Sequence, residues 1–484
     1  MIQILRYLKY PLIFVPLFIL GVFLRLSVRT PASNPTTRIP GFSAVAVFMT
    51  HGKVKNLERS MQAFFESEHH EKLSVLVTLD DAQAWDTVSA LNARLEQKFN
   101  SKIQLILKPE EKHSTRLKPV KLAERRIDSH FFFALREALK TPHEFIVWIE
   151  DDIVIAPDFL QMMISGIKRL RDDKTLFCIA GWNEQALDGE AKDMNKLIRT
   201  SVFPGLGWMM HRAVVKELVD AWPGEYVTWD WWFRRGDVAK GRECIAPEVP
   251  RSKHIGADGT HFSNNDVYEQ MALANIPASD DTFNFETIDL ETYDKDIWRL
   301  LNNAHVVRSM GEFDEVFKAK KPGTFIVSIP SKYEDKKFKA YFKHFSSFLS
   351  NHRGLVVKRR PGADSLFVFI NSRYGQEWLP QDLRSPLPDD VRVVVSEVGE
   401  NCVDACAREL KWPCSFSDLS MMQNCEFCAG GKDQCMSRNT FHTHNGLLVK
   451  NDACFLSKFA ANSCDESFAG YSRTCPCALR RTYD

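Results

Sequence analysis

The stretch that decides the fold is FIVWIEDDIVIAPDFL, residues 145–160. Phe145 to Ile149 form a short, unbroken apolar run rich in β-branched and aromatic residues, the pattern of a strand buried on both faces. The run ends in three adjacent carboxylates, Glu150, Asp151 and Asp152. A second apolar patch follows, and then Ala156-Pro157-Asp158, where a proline in the first turn can start the helix continued by Phe159, Met162, Met163 and Ile167. Three acids at the carboxyl end of a core strand repel one another, so the fold needs a reason to keep them. In an open α/β sheet that rim is where ligands bind. Hard oxygen ligands there suit Mg²⁺ or Mn²⁺, which would bridge the phosphates of a nucleotide. A solvated turn, its acids favouring the next helix N-terminus, is the plainer reading. The three acids alone do not exclude it.

Working towards the N-terminus, the same alternation of strands and helices recurs. Ser43–Met49 and Leu73–Thr78 read as buried strands, the second ending at Asp80-Asp81, and Ile103–Leu107 as a third. Helical periodicity covers the stretch from Leu57 to Phe65, then Val88 to Phe99, and the region around His130 to Leu139. This pattern predicts an α/β fold with a doubly wound, mostly parallel sheet. No GxGxxG is present, so a dinucleotide site has no support. Beyond Asp152 come Leu176–Ala180 as a strand, a glycine-rich turn at 203–208, Asp230 among three tryptophans, and Gly241–Ile245. Further on, Gly323–Ser328, an amphipathic helix over 338–349, and Leu355–Lys358 paired with Ser365–Ile370 predict a small α+β lobe.

With 484 residues the chain can bury more than one core. Its 63 basic and 62 acidic residues leave a net charge of +1, which gives no footing for a nucleic-acid partner. Twelve cysteines are unevenly placed: Cys178 and Cys244 stand alone, and the rest crowd between Cys402 and Cys477. Even counts in both regions fit an oxidising compartment and disulfides. The CxxC and CxC spacings near His442 and His444 leave zinc as a lesser reading. Pro11 to Leu24 carries no charge and is flanked by Arg6, Lys9, Arg25 and Arg29. It is short against the ~20 residues of a bilayer span, but snorkelling basic side chains extend it. No small-x-small cleavage site follows at once, so an uncleaved signal-anchor is expected, with the cysteine-bearing bulk of the chain on the lumenal side.

Five motifs then fall in register: EDD with APDF, CIAGWN, FPGLGW, WD-x-W-x-R-R, and GRECIAPEVPRS. In this order and spacing the chain resembles the β-1,2-N-acetylglucosaminyltransferases, the family of the N-glycan enzyme and of the protein O-mannose enzyme. The resemblance is carried by residues 143–270 and is traceable from 43 to about 375. It implies a GT-A-type doubly wound mixed sheet, UDP-GlcNAc as donor, Mn²⁺ as cofactor, and inverting transfer to a mannose-terminated glycan on a glycoprotein. By position it implies Asp152 as the metal acid, with Glu150 and Asp151 on the donor. It further implies Asp80 and His130 in the nucleotide pocket, Asp230 as catalytic base, and Cys178 bonded to Cys244.

Read without the family, His130 is an ordinary helix histidine, Asp80 a strand end, and Asp230 a hydrogen-bonded structural acid. Trp229, Trp231 and Trp232 are as readily core as sugar platform. One departure bears on the pocket: where the N-glycan enzyme carries Cys-Asp-Arg, Thr50-His51-Gly52 stand here, with Lys53 a possible substitute for the arginine. The cysteine-rich tail resembles that of β-1,6-N-acetylglucosaminyltransferases acting on N-glycans. The expected organisation is a cytoplasmic tail and signal-anchor (1–30), a stem (31–40), a GT-A domain (41–310), a small lobe (311–395) and a disulfide-rich C-terminal module (396–484). The expected setting is the Golgi membrane, single-pass type II, with the catalytic part lumenal. A silent glycan-binding relative, or the same fold using another UDP-sugar, are the alternatives.

Overall fold

A computed structural model of the chain describes residues 42–111, 119–184, 191–224, 228–256, 283–329, 354–371, 389–415, 448–450, 453–456 and 469–478, with 352, 379, 381–383, 387, 428, 435–437, 464 and 467. The expected signal-anchor, the stem, the helix over 338–349, His442, His444 and Cys425 lie outside the described residues. Among the described residues no helix is long and apolar enough to cross a membrane.

The main sheet has eight strands: β1 (Ala44–Thr50), β2 (Leu73–Leu79), β3 (Ile103–Leu107), β4 (Phe145–Glu150), β6 (Leu176–Ala180), β7 (Leu197–Thr200), β8 (Trp208–His211) and β9 (Glu243–Pro247). A short antiparallel ribbon of β5 (Ile153–Ile155) and β10 (Ser252–His254) stands beside it. The order in the main sheet is β3-β2-β1-β4-β8-β6-β9-β7. β3, β2, β1 and β4 run parallel, and β8 enters antiparallel between β4 and β6. This is the doubly wound mixed sheet that the family resemblance implies; the strand–helix alternation alone predicts a mostly parallel one, and β8 and β7 pair antiparallel with their neighbours.

Period-two alternation sorts β4 between two cores. Phe145, Val147 and Ile149 pack on one face with α1 (Val54–Glu66), α2 (Trp85–Phe99), α4 (Phe159–Ser165) and α5 (Ile167–Asp172). Ile146 and Trp148 pack on the other with α3 (Pro119–Lys140), α6 (Arg212–Ala221) and α7 (Trp229–Phe233). With both faces covered, only the strand ends remain for chemistry. The helix expected to run from Phe159 through Ile167 is divided at Gly166, where an added Cβ would lie 2.3 Å from Ile179 Cδ1.

The motifs converge because they pack on one another. Gly181 of GWN donates its N–H to the Gly207 carbonyl (2.7 Å) and accepts from the Arg251 N–H (2.6 Å). A Cβ at Gly181 would lie 2.5 Å from the Phe159 ring, so the position demands glycine. Arg251 and Asp158 are both buried and form an ion pair at 2.8 Å. Two carbonyls, of Val249 and Met194, take further guanidinium N–H groups at 2.6 and 2.8 Å. Cys178 and Cys244 sit opposite each other on β6 and β9 and are disulfide-bonded.

A four-stranded sheet of His305–Val307, Gly323–Ile329, Ser365–Asn371 and Leu355–Arg359 forms the smaller lobe. It is tied to the main sheet through His352, whose ring nitrogens lie 3.3 Å from Glu243 of β9 and 3.3 Å from Asp294. A five-stranded sheet follows, from Val391–Val395, Ser472–Ala478, Leu448–Lys450, Ala453–Leu456 and Cys435–Ser437. By strand pairing, His305–Val307 goes with the lobe and Val391–Val395 with the cysteine-rich sheet, each outside the span expected from sequence. Hydrophobic pattern alone does not show which neighbour a strand pairs with. The module holds the disulfides Cys402–Cys475, Cys406–Cys477, Cys414–Cys464 and Cys428–Cys454, so the disulfide reading holds for these eight cysteines.

Removing one partner of the Asp158–Arg251 pair leaves a buried, uncompensated guanidinium. Asp158→Ala is therefore expected to lower stability by about 3–5 kcal/mol in urea titration, a cost typical of broken buried pairs. A loss below about 1 kcal/mol, the range of exposed pairs, would show that Arg251 is rehydrated in the folded state.

Candidate functional site

The parallel register brings the carboxyl ends of β1, β2 and β4 to one rim, with Thr50 opposite Leu79 and Met49 opposite Glu150. The next residues, His51, Asp80 and Asp151, therefore leave the sheet side by side. Asp151 is held there: Thr50 donates its hydroxyl to Oδ2 at 2.6 Å, and the Asp151 N–H donates to the Met49 carbonyl. From below, the Ser60 hydroxyl of α1 bonds the carbonyls of Glu150 (3.1 Å) and Ile153 (2.6 Å), clamping the acidic turn.

The three acids are not independent. Burial, then the charges of Asp152, Asp151 and Asp230, push Glu150 well above the usual carboxylate range. Burial and Asp152 push Asp151 up to about 7, against the Thr50 hydrogen bond and the charge of Lys53. Asp152 lies 3.2 Å from His254 Nε2, and its carbonyl accepts from the Ile255 N–H. Gly256 passes so close that a Cβ there would lie 2.6 Å from Asp152 Oδ2. His254 escaped the sequence reading of the site. Its only signal was its place in the segment after GRECIAPEVPRS, and only the β5–β10 pairing brings it against the acids.

Asp152 and His254 are the residues that would hold a divalent cation. Among the described residues no group of three or more His, Cys, Asp or Glu converges on one point. A hard cation held by Asp152 and His254 would need its remaining positions filled by phosphate oxygens and water. The mutual repulsion of Glu150, Asp151 and Asp152 supplies the electrostatic demand for it.

Asp80 is the centre of a second cluster. His51 Nδ1 lies 2.6 Å from its Oδ1 and His130 Nδ1 3.6 Å, while His130 Nε2 meets the Thr78 hydroxyl at 3.0 Å. Burial works to raise Asp80, but the His51 hydrogen bond with the charges of His130, His51 and Lys108 outweighs it, and the carboxyl is held low. Burial pushes His130 down to about 4, so its ring is neutral at neutral pH. The altered loop thus touches both clusters: the His51 side chain meets Asp80, and its backbone bonds to the Asp151 carboxylate.

Asp230 reaches the rim from the other side. On one-turn helix α7, Trp229, Trp232 and Phe233 are buried, and Trp229 stacks on Phe131 at 4.0 Å between centroids. Two of the three tryptophans are therefore core. Asp230 keeps a 35% exposed side chain, and Trp231 is 64% exposed. The Arg234 guanidinium lies 3.9 Å from Asp230 Oδ2, donates to Glu184 Oε1 at 3.0 Å and to the Phe203 carbonyl at 3.0 Å. Burial raises Glu184, and the Asp230 charge adds to it against Arg234 and Lys358. Asp230 also acts on Glu150, so the structure brings Glu150, Asp151, Asp152 and Asp230 into one electrostatic unit. Asp80 and His130 adjoin it through the 50–52 loop. Cys178 and Cys244 lie apart in the sheet, as a structural bridge.

A doubly wound sheet whose parallel strands end in a carboxylate-rich rim makes this an α/β protein, and open sheets of that class bind ligands at this rim. The chain belongs to the GNT-I family, whose model matches residues 29–349. It is 34% identical over 167 residues to the alpha-1,3-mannosyl-glycoprotein 2-beta-N-acetylglucosaminyltransferase of Arabidopsis thaliana. That match spans 34% of this chain and 36% of the relative, about a third of each. Among solved structures it is similar to the mannosyltransferase PcManGT from Pyrobaculum calidifontis in complex with GDP-Man and Mn²⁺ (16% identity, 43% of this chain and 57% of that one, TM-score 0.29). It is also similar to S. aureus TarS 1–349 in complex with UDP-GlcNAc (14% identity, 54% and 73%, TM-score 0.31).

Asp128 fixes the start of α7 by accepting the Trp229 N–H at 2.8 Å. Burial raises its carboxyl from an ordinary 3.8 to about 7, against that hydrogen bond and with help from Asp230. Between those values the folded protein holds a proton that the unfolded chain has lost, so this group's contribution to stability falls as pH rises to about 7. Asp128→Asn keeps an acceptor for the N–H but cannot ionise. Relative to wild type, its stability in urea titrations should improve between pH 4.5 and pH 8. Parallel pH profiles for the two proteins would mean that Asp128 is not raised.

Proposed function

We propose that this chain is an inverting, metal-dependent β-1,2-N-acetylglucosaminyltransferase that moves GlcNAc from UDP-GlcNAc to a terminal mannose of a glycoprotein glycan. The single observation that carries the reading is Asp230. It is a half-exposed carboxylate on a helix anchored by three buried aromatics, and it faces the acidic strand end in a chain of the GNT-I family. Inversion in one displacement needs one base on the acceptor side. In this reading Asp230 takes the proton of the attacking mannose hydroxyl as its oxygen bonds the anomeric carbon and the bond to the UDP oxygen breaks. Arg234 keeps the Asp230 carboxylate oriented, and Asp80 with His130 holds the pyrimidine end of the donor. Mn²⁺, bound at Asp152, would supply positive charge to the departing diphosphate. The chain would act in the Golgi lumen, anchored by the apolar segment 11–24 as a single-pass type II protein.

The test is transfer from a panel of UDP-sugars to mannosides with Mn²⁺, run beside Asp230→Asn. Wild type should use UDP-GlcNAc and give a β-1,2 product. Asp230→Asn should keep its melting curve and donor affinity, and lose roughly 10²- to 10⁴-fold in turnover, the usual worth of a general base. Near-normal transfer by the folded variant removes Asp230 from the mechanism. Mannoside binding by wild type with no transfer from any UDP-sugar favours a silent glycan-binding relative.

A further inference from the structure

We propose that Trp231 is the acceptor-side stacking platform of this site, binding a neutral hexopyranose so that one of its hydroxyls faces Asp230; this rests on the transferase reading above. Helical spacing explains why Trp231 differs from its neighbours. Residues 229, 232 and 233 are at i, i+3 and i+4 and share the core face, which leaves 230 and 231 together on the outward face. Among the described residues Trp231 is the most open tryptophan, at 64% against 36% for Trp85 and 40% for Trp298. An indole that open loses the gain from burial, and a large exposed apolar side chain is the informative exception on a protein surface.

The indole is also held rather than loose. The Arg234 guanidinium lies 5.4 Å from its ring centroid, in cation–π range, while the same group reaches Asp230 and Glu184 and bonds the Phe203 carbonyl. One arginine therefore fixes the carboxylate and the aromatic plane in a common frame. The ligand class follows from the surroundings. The Asp230 carboxylate, next to the indole on the outward face of α7, disfavours an anionic acceptor. A flat aromatic surface suits the C–H face of a pyranose, whose hydroxyls stay at the ring edge to meet the carboxylate. A bound platform of this kind works by holding the acceptor. It should move the acceptor's KM and leave the donor's alone.

The experiment measures initial rates with a free oligomannoside as acceptor, on wild type, Trp231→Ala and Trp231→Phe, together with mannoside binding by saturation-transfer NMR in the absence of donor. Trp231→Ala should raise the acceptor KM roughly ten-fold, in line with the loss of one aromatic contact. Its kcat and UDP-GlcNAc KM should stay within about two-fold, and Trp231→Phe should recover most of the loss. An unchanged acceptor KM, or an equal rise in donor KM, overturns the platform. A defect seen with whole glycoprotein but not with the free mannoside also overturns it, and makes Trp231 a polypeptide contact. The NMR arm separates the two claims. If wild type binds the mannoside without transferring to it, and Trp231→Ala does not bind, the platform stands and the transferase reading fails.

Discussion

Carboxylates crowded at the end of a buried strand are the constraint on which the site depends. Glu150, Asp151, Asp152 and Asp230 act on one another across a rim that burial has partly desolvated, and at least two of them are pushed far above their ordinary range. Like charges in such a place cannot all ionise without a counter-charge. The protein supplies part of it: Lys53 acts on Asp151, and Arg234 is shared between Asp230 and Glu184. The remaining demand is for positive charge from outside, which in the proposed reading a divalent cation bound with the donor diphosphate would meet.

Everything around the rim serves to keep these acids where they repel. Ser60 grips the turn from α1, Thr50 fixes Asp151, and the β5–β10 ribbon delivers His254 to Asp152. The buried Arg251–Asp158 pair then locks the ribbon to the start of α4, and the Gly181 backbone contact closes it on the glycine-rich turn. Several motif residues that look functional in sequence are therefore structural. They act on the chemistry by fixing distances.

The fold was legible where periodicity is strong. Ile103–Leu107 and Leu176–Ala180 are strands at the residues where the apolar runs lie, and β4 ends on the acids. It was less legible where pairing decides, as at His305–Val307 and Val391–Val395, because a strand's partner is a tertiary property. The site divides in the same way. The acids of the EDD turn announce themselves by being improbable after a buried strand. Asp80, His130 and Asp230 were reached through the family resemblance alone, each being an ordinary residue locally. His254 and the double contact of His51 were not reached, since both depend on register between segments distant in the chain. Trp231 could be told from Trp229 and Trp232 only once the one-turn helix had a core-facing side.

The central claim is that the rim is completed by a cation together with a uridine diphosphate. Calorimetric titration of UDP into the folded protein, with Mn²⁺ and then with the metal removed by a chelator, tests it most directly. The account predicts clear binding with Mn²⁺ and a loss of at least ten-fold in affinity without it, the equivalent of about 1.4 kcal/mol. Equal affinity in the presence and absence of the metal would contradict it, because the four carboxylates would then be facing a diphosphate with no cation between them.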